Sequence, residues 1–153
     1  MIQPIRHPRR QATRKAIILV ALLLFPIVLN YLSPYVIIEP GMKVGEVGEA
    51  DPVRRDDIAR AIGYAMTAEF FGMDLVYLEA GSGAPEPVPS EMIRGVKESI
   101  DIPLVVGGGV TSAEKAADIA RAGADIVVTG TLVENGDFEG ELRAVVRAVH
   151  EAR

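Results

Sequence analysis

The chain has 153 residues, 49% of them apolar and 24% charged, with a formal net charge of −5 and no cysteine. That length can bury one substantial core without requiring a second large domain, and the lack of cysteine excludes disulfides, thiolate zinc sites and thiol nucleophiles. The two histidines, His7 and His150, stand near opposite ends of the chain and give no basis for a histidine dyad or cluster.

Charge and hydropathy divide the sequence unevenly. Residues 1–15 carry five Lys/Arg and no acid, residues 16–38 carry no charge, and the whole chain's remainder holds 11 Lys/Arg against 21 Asp/Glu. The body is therefore near −10, which excludes nucleic-acid binding through it, since phosphate backbones require clustered cations. The run "RKAIILVALLLFPIVLNYLSPYVII" is long enough to cross a bilayer, for which about 20 mostly apolar residues suffice. Its basic flank would then hold the N-terminus in the cytoplasm and send the body across. No small-residue cleavage site of a signal peptide follows it. The alternative is a buried helix broken at Pro26 and followed by a buried strand over residues 35–38. Residues 1–34 are accordingly read as a basic and hydrophobic segment with two open interpretations, membrane anchor or buried element, and residues 35–153 as the folded domain.

From residue 35 the chain alternates strand, loop and helix. "YVIIE" is a β-branched run ended by Pro40-Gly41, and the long acidic loop "PGMKVGEVGEADPVRRDD" follows it. Loops of that length are functional or disordered more often than not; its cluster from Arg54 to Asp57 reads as a solvated helix start. "IARAIGYAMTAEFFG" sets Ile58, Ile62, Ala65, Met66 and Phe70 at helical spacing, with Gly72 as a stop. The strand "LVYLE" opens into the Gly/Pro loop "AGSGAPEPV", and "SEMIRGVKESI" is a helix with Ser90 as its N-cap. "IPLVV" runs into Gly107-Gly108-Gly109, and "TSAEKAADIARAGA" starts with a capping box of Thr111 and Glu114. The strand "DIVVTGT" and the helix "FEGELRAVVRAVHEA" complete the series.

Such alternation predicts parallel strands joined by right-handed crossovers. The strands are continuous apolar runs, the pattern of a sheet covered by helices on both sides. A doubly wound sheet and a (β/α)8 barrel both accommodate this. Glycine-rich polar loops after three successive strands, at Glu79, Gly107 and Gly130, favour the barrel, whose phosphate site follows its last strands. A full barrel takes about 250 residues, so the fold expected is a TIM-barrel type of about four βα units, the second half of such a barrel.

The chemistry-bearing residues sit in those loops. "VVGGGVTSAE" joins three glycines to a capped helix start, so backbone N–H groups and the helix dipole can meet a phosphate monoester without Lys or Arg. "VVTGT" adds Gly130 and the Thr131 hydroxyl. In "YLEAGSG", Glu79 ends its strand where it can accept a hydrogen bond from a substrate hydroxyl or take its proton, and Tyr77 shares its side-chain direction. Ser82 and its flanking glycines extend the cradle. The blander reading has Tyr77 packing in a barrel layer and Glu79 capping a helix. Asp125, at the start of its strand, reads as structural.

"YLEAGSGAPEPV", "IDIPLVVGGGV" and "AGADIVVTGT", in this order and spacing, closely resemble the geranylgeranylglyceryl phosphate synthase family and its heptaprenylglyceryl phosphate relatives. "YVIIEPGMKVGEVGEADPV" resembles that family's fifth strand and the loop after it. The resemblance runs from residue 35 to the C-terminus and implies a TIM-barrel prenyltransferase of archaeal ether-lipid synthesis. Such an enzyme moves a prenyl group from a prenyl diphosphate to the 3-hydroxyl of sn-glycerol 1-phosphate with magnesium. It implies substrate binding by Tyr77, Leu78, Glu79, Ala80, Gly81, Ser82, Gly83, Gly108, Gly109, Gly130 and Thr131, with Glu79 and Tyr77 catalytic. The family's magnesium ligands lie on its first strands, which residues 1–34 do not resemble. The competing expectation is a noncatalytic phosphate-binding half barrel, or a truncated remnant, anchored to a membrane. A cytoplasmic location, with or without membrane attachment, and self-association through open sheet edges complete the expectations.

Overall fold

A computed structural model of the chain describes residues 34–130 and 138–152, all within the second of the two units, residues 1–32 and 33–153, into which the chain divides. The described elements are β1 (Tyr35–Ile37), α1 (Met42–Val47), α2 (Ile58–Phe70), β2 (Val76–Glu79), α3 (Ser90–Lys97), β3 (Leu104–Gly107), α4 (Ala113–Arg121), β4 (Ile126–Val128) and α5 (Phe138–Glu151). The four strands form one sheet in the order β1-β2-β3-β4, and every neighbouring pair is parallel.

The register divides the strands into two faces. Val36, Leu78 and Val106 are aligned across the sheet and belong to one core cluster with Ala61, Ala65 and Ala68 of α2, Met92, Ile93 and Val96 of α3, Ala116 and Ile119 of α4, and Val145 of α5. Helix α2 packs on α3, α3 on α4, and α4 on α5. The helices thus line one face in chain order, whereas a doubly wound sheet reverses at a switch point and places them on both. The other face carries Tyr35, Tyr77, Val105 and Ile126 in one row and Ile37, Glu79, Gly107 and Val128 in the next. The expectation of helices on both faces is therefore corrected: among the described residues α2 to α5 cover one face, and only the short α1 lies against Ile37 on the other.

Local chemistry sets the element ends. Asp57 caps α2 by accepting from the Arg60 N–H at 3.1 Å, which satisfies one of the helix's orphan donors. Two other caps differ from expectation. Ser112, not Thr111, caps α4, its hydroxyl accepting from the Lys115 N–H at 3.2 Å; the expected box with Glu114 does not form, because the third helical position is then Lys115, which has no acceptor. Pro89, not Ser90, occupies the cap position of α3 and makes no side-chain hydrogen bond there. Adjacent hydroxyls compete for one cap, and backbone geometry decides between them.

Helix α2 keeps part of its expected face inward, with Ile58 and Ile62 packed against the core and Ala65 within it. Ala61, Ala65 and Ala68 are buried, while Met66 and Phe70 are 39% and 87% exposed. Both stripes fit a 3.6-residue period, and the small residues let the helix lie close to its neighbours.

The loop expected over residues 40–57 is ordered and folds back on β1. Its Val53 pairs with Ile38 as a parallel bridge and is 1% exposed, and its first part forms the short helix α1.

Asp125 has the structural role expected of it. Its carboxylate accepts from the Leu104 N–H and from Lys97 Nζ, each at 2.8 Å, tying the start of β4 to β3 and α3. Asp125→Ala leaves the amide of fully buried Leu104 without that acceptor, so a loss of about 1–3 kcal/mol is expected in urea unfolding.

The membrane reading falls mainly on residues outside those described. Its last part does not: Tyr35–Ile37 is strand β1, paired to β2. Among the described residues no helix is long and apolar enough to cross a membrane.

Candidate active site

At the carboxyl ends of β2, β3 and β4 lies a cavity of about 140 Å³, lined by Tyr77, Glu79, Ser82, Gly108, Gly109, Val110, Val128, Thr129 and Gly130. Drug-sized ligands occupy roughly 300–1,000 Å³; this space suits a small polar molecule. The sheet explains which residues arrive there. Strand alternation turns Tyr77 and Glu79 toward the cavity and Leu78 and Ala80 into the helix-facing core, where both are fully buried. Of the residues expected from sequence, the structure brings together Tyr77, Glu79, Ser82, Gly108, Gly109 and Gly130. Leu78 and Ala80 line no part of this space. Gly81 contributes through its backbone, Gly83 is exposed, and Thr131 lies outside the described residues.

Glu79 organises the wall. One carboxylate oxygen accepts from the Gly81 N–H at 2.7 Å, which fixes the first turn of the loop after β2. The other faces Tyr77 over Gly107: a Cβ on Gly107 would stand 2.3 Å from the Tyr77 hydroxyl and 3.0 Å from Glu79 Oε2. Burial, then the negative charge of Glu79 and the hydrogen bond to it, push the Tyr77 phenol well above its ordinary value. Tyr77 is therefore a donor at any physiological pH and not a base.

The Tyr35 ring packs against Tyr77 with centroids 4.5 Å apart. Burial, then the Glu79 charge, also raises its phenol. Tyr77→Phe is expected to lower affinity for a hydroxyl-bearing phosphate about tenfold, with the same deficit at pH 6 and pH 9 in calorimetry. A deficit that changes across that range would mean the phenol ionises within it.

The floor is backbone. Gly108 and Gly109 have φ of +82° and +68°, a conformation that turns successive N–H groups toward one side, and the capped start of α4 follows them. Ser82 faces Gly130, its Oγ 3.9 Å from where a Cβ on that glycine would sit. The Thr129 hydroxyl donates to Val110 O at 3.1 Å and ties the loop after β4 to the loop after β3.

Sequence reading passed over Thr129, Gly107 and Tyr35. Gly107 stood in a visible glycine run, but its use, making room for a side chain on the neighbouring strand, needs the register. Glu79 is the carboxylate in the cavity lining, and among the described residues no group of three His, Cys, Asp or Glu is placed to hold a metal ion.

Loops from three successive parallel strands, closing on a small cavity floored by glycine backbone, define an α/β protein with a cavity at the carboxyl ends of its strands, the end at which barrel enzymes carry their sites. The chain belongs to the PcrB family, whose model matches residues 13–149 and so begins well ahead of the resemblance read from residue 35. It is 51% identical over 115 residues to the geranylgeranylglyceryl phosphate synthase of Pyrococcus horikoshii, covering 75% of this chain and 45% of that protein. The synthase of Methanothermobacter thermautotrophicus is 56% identical over 116 residues, with 75% and 47% covered. A crystal structure of (S)-3-O-geranylgeranylglyceryl phosphate synthase from Thermoplasma acidophilum, in complex with substrate sn-glycerol-1-phosphate, superposes with a TM-score of 0.76 at 44% identity, covering 78% of this chain and 49% of that one. The wild-type enzyme of Thermoplasma volcanium gives 0.75 at 42% identity, covering 78% and 48%. The chain spans about half the length of the curated relatives it matches.

Proposed function

We propose that the chain is a prenyltransferase component that binds sn-glycerol 1-phosphate and presents its 3-hydroxyl to a geranylgeranyl or related prenyl diphosphate. Its described residues are read as four consecutive βα units of a (β/α)8 barrel. The observation that carries the proposal is the cavity itself, where a carboxylate and a phenol face a glycine-built floor in a family with a glycerol-phosphate complex among its solved structures.

In this reading the phosphate rests on the N–H groups around Gly108, Gly109 and Gly130, and Ser82 closes over it. Thr131, next in chain, is assigned the same role. Tyr77 donates to the glycerol, and Glu79 orients the acceptor hydroxyl and receives its proton as the new C–O ether bond forms. The allylic C–O bond breaks and the diphosphate departs. Positioning a weak oxygen nucleophile is the chain's contribution to rate. Magnesium, which the resemblance implies, would act at the departing diphosphate.

The test is transfer of labelled geranylgeranyl groups to sn-glycerol 1-phosphate by the purified protein in magnesium buffer, run beside calorimetry with the acceptor alone. Organic-extractable product is the expected result. Binding without product supports the second reading, a noncatalytic phosphate-binding half barrel. Absence of binding overturns both.

Self-association belongs to the same proposal, because β1 and β4 are the edges of the described sheet and Ile126 of β4 is 48% exposed. Light scattering of detergent-free protein is expected to give a mass above 16.4 kDa; a monodisperse monomer would refute it. A cytoplasmic setting, with or without membrane attachment through the part of the apolar run that precedes β1, is the location this reading requires.

A further inference from the structure

The loop after β2 reaches the cavity through Ser82 and is anchored in the core by Ala84 and Val88, each 1% exposed. Between those anchors it presents outward carbonyls, and two half-buried cations from different elements hold them. Arg55, in the segment leading into α2, donates from one guanidinium nitrogen to Pro87 O at 2.7 Å and from the other to Glu39 O at 3.2 Å. It therefore joins the loop after β1 to the loop after β2. From the opposite side, Lys115 in the first turn of α4 donates to Pro85 O at 3.1 Å and lies 3.4 Å from the Glu86 carboxylate. The Glu86–Pro87 backbone also rests directly on Gly109, where an added Cβ would be 2.6 Å from the Glu86 carbonyl carbon. Arg55 and Lys115 line no part of the cavity, yet they hold the loop that carries Ser82 and that rests on Gly109 of the floor.

We propose that Arg55 is a positioning residue for the phosphate site, with Lys115 as its counterpart: by holding the Pro85–Pro87 carbonyls it fixes the loop that closes over the ligand before the ligand arrives. The proposal rests on the reading of the cavity as a glycerol phosphate site. Its physical content is preorganisation. A loop held in place costs nothing to order on binding, whereas a released loop charges that ordering to the affinity. Arginine suits the task because its planar fork reaches two carbonyls at once, which a lysine ammonium on a flexible stem does less well.

The experiment uses the full chain, with sn-glycerol 1-phosphate as the probe in calorimetry and amide hydrogen exchange read over residues 81–89. Arg55→Met is expected to weaken binding roughly ten- to a hundredfold, the scale of a positioning error of about 1 Å. Loop amides should exchange faster in the unliganded variant and return to wild-type protection at saturation, while amides of β2 and β3 stay unchanged. Arg55→Lys is expected to restore part of the affinity and serves also if the methionine variant folds poorly. A merely structural role would lower protection across the sheet and leave it low with ligand bound; that pattern overturns the proposal, as does wild-type affinity in Arg55→Met. If the wild-type chain itself does not bind the probe, the reading of the cavity fails first, and the positioning role falls with it.

Discussion

Gly108→Ala is expected to abolish calorimetric binding of sn-glycerol 1-phosphate while leaving the far-ultraviolet dichroism of the sheet and helices in place. Gly108 has φ +82°, and a Cβ there would stand 2.5 Å from Glu79 Oε1, 2.6 Å from Gly81 N and 2.9 Å from Ala80 N. Two of those three atoms are backbone and cannot rotate aside. The left-handed conformation alone costs an L residue about 1–2 kcal/mol, and relieving the contacts requires the loops after β2 and β3 to separate where the cavity floor is built. The change also breaks the geometry in which Glu79 holds the Gly81 N–H. Affinity within threefold of the wild type would show that the phosphate does not rest on this turn.

Glu79→Gln carries the second large effect. Glu79 is 9% exposed; one carboxylate oxygen accepts from the Gly81 N–H and the other faces the Tyr77 phenol over Gly107. An amide keeps the size and can still accept from Gly81 with its oxygen, but its NH2 then faces Tyr77, and it cannot receive a proton. The fold is expected to hold. Transfer to the 3-hydroxyl, assayed in a preparation shown to be active, is expected to fall roughly 10²–10⁴-fold, the range for loss of a positioned general base. Phosphate binding should weaken much less, since the floor is backbone. Turnover equal to that of the wild type would remove Glu79 from proton transfer and leave it the role of organising its loop.

The layout of the domain was legible in sequence because each strand is a short β-branched run and each loop after it is rich in glycine. The residues that form the cavity wall followed from strand alternation: Tyr77 and Glu79, two apart, had to share a face. What could not be read depends on choices between near-equivalent neighbours. Thr111 and Ser112 are both competent caps, and only the extended backbone of Ser112, φ −153°, shows which one serves. Helix α2 is apolar on more than one side, so the stripe through Ile58, Ile62 and Ala65 could be continued to Met66 and Phe70 as readily as to Ala61 and Ala68, which are the ones buried.

The long loop after β1 read as open because its acidic and glycine-rich composition hides a single anchoring residue, Val53. Arg55 stood in a charge cluster that looked like a solvated helix start. For Arg54 and Asp56 that description is right, since they form an exposed pair with each other. Arg55 differs only in what stands opposite it, a pair of carbonyls 16 and 32 residues away in the chain. Contacts of that range leave no local signature.

The strand order also fixes how the molecule can be made. Each described strand after the first pairs with the one that precedes it in the chain, so every addition to the sheet docks on a surface already synthesised. Each pairing spans a whole crossover, as from Tyr35 to Tyr77 or from Val105 to Ile126, and parallel pairings of that range form slowly, yet such a sheet can be laid down vectorially as the chain leaves the ribosome. The cavity cannot. Its wall arrives with β2, its floor with the turn after β3, and its far side only with Thr129 and Gly130. A nascent chain halted between Gly109 and Thr129 would carry paired strands, a fixed Glu79 and no place for a phosphate, so binding competence during synthesis should switch on late and in one step.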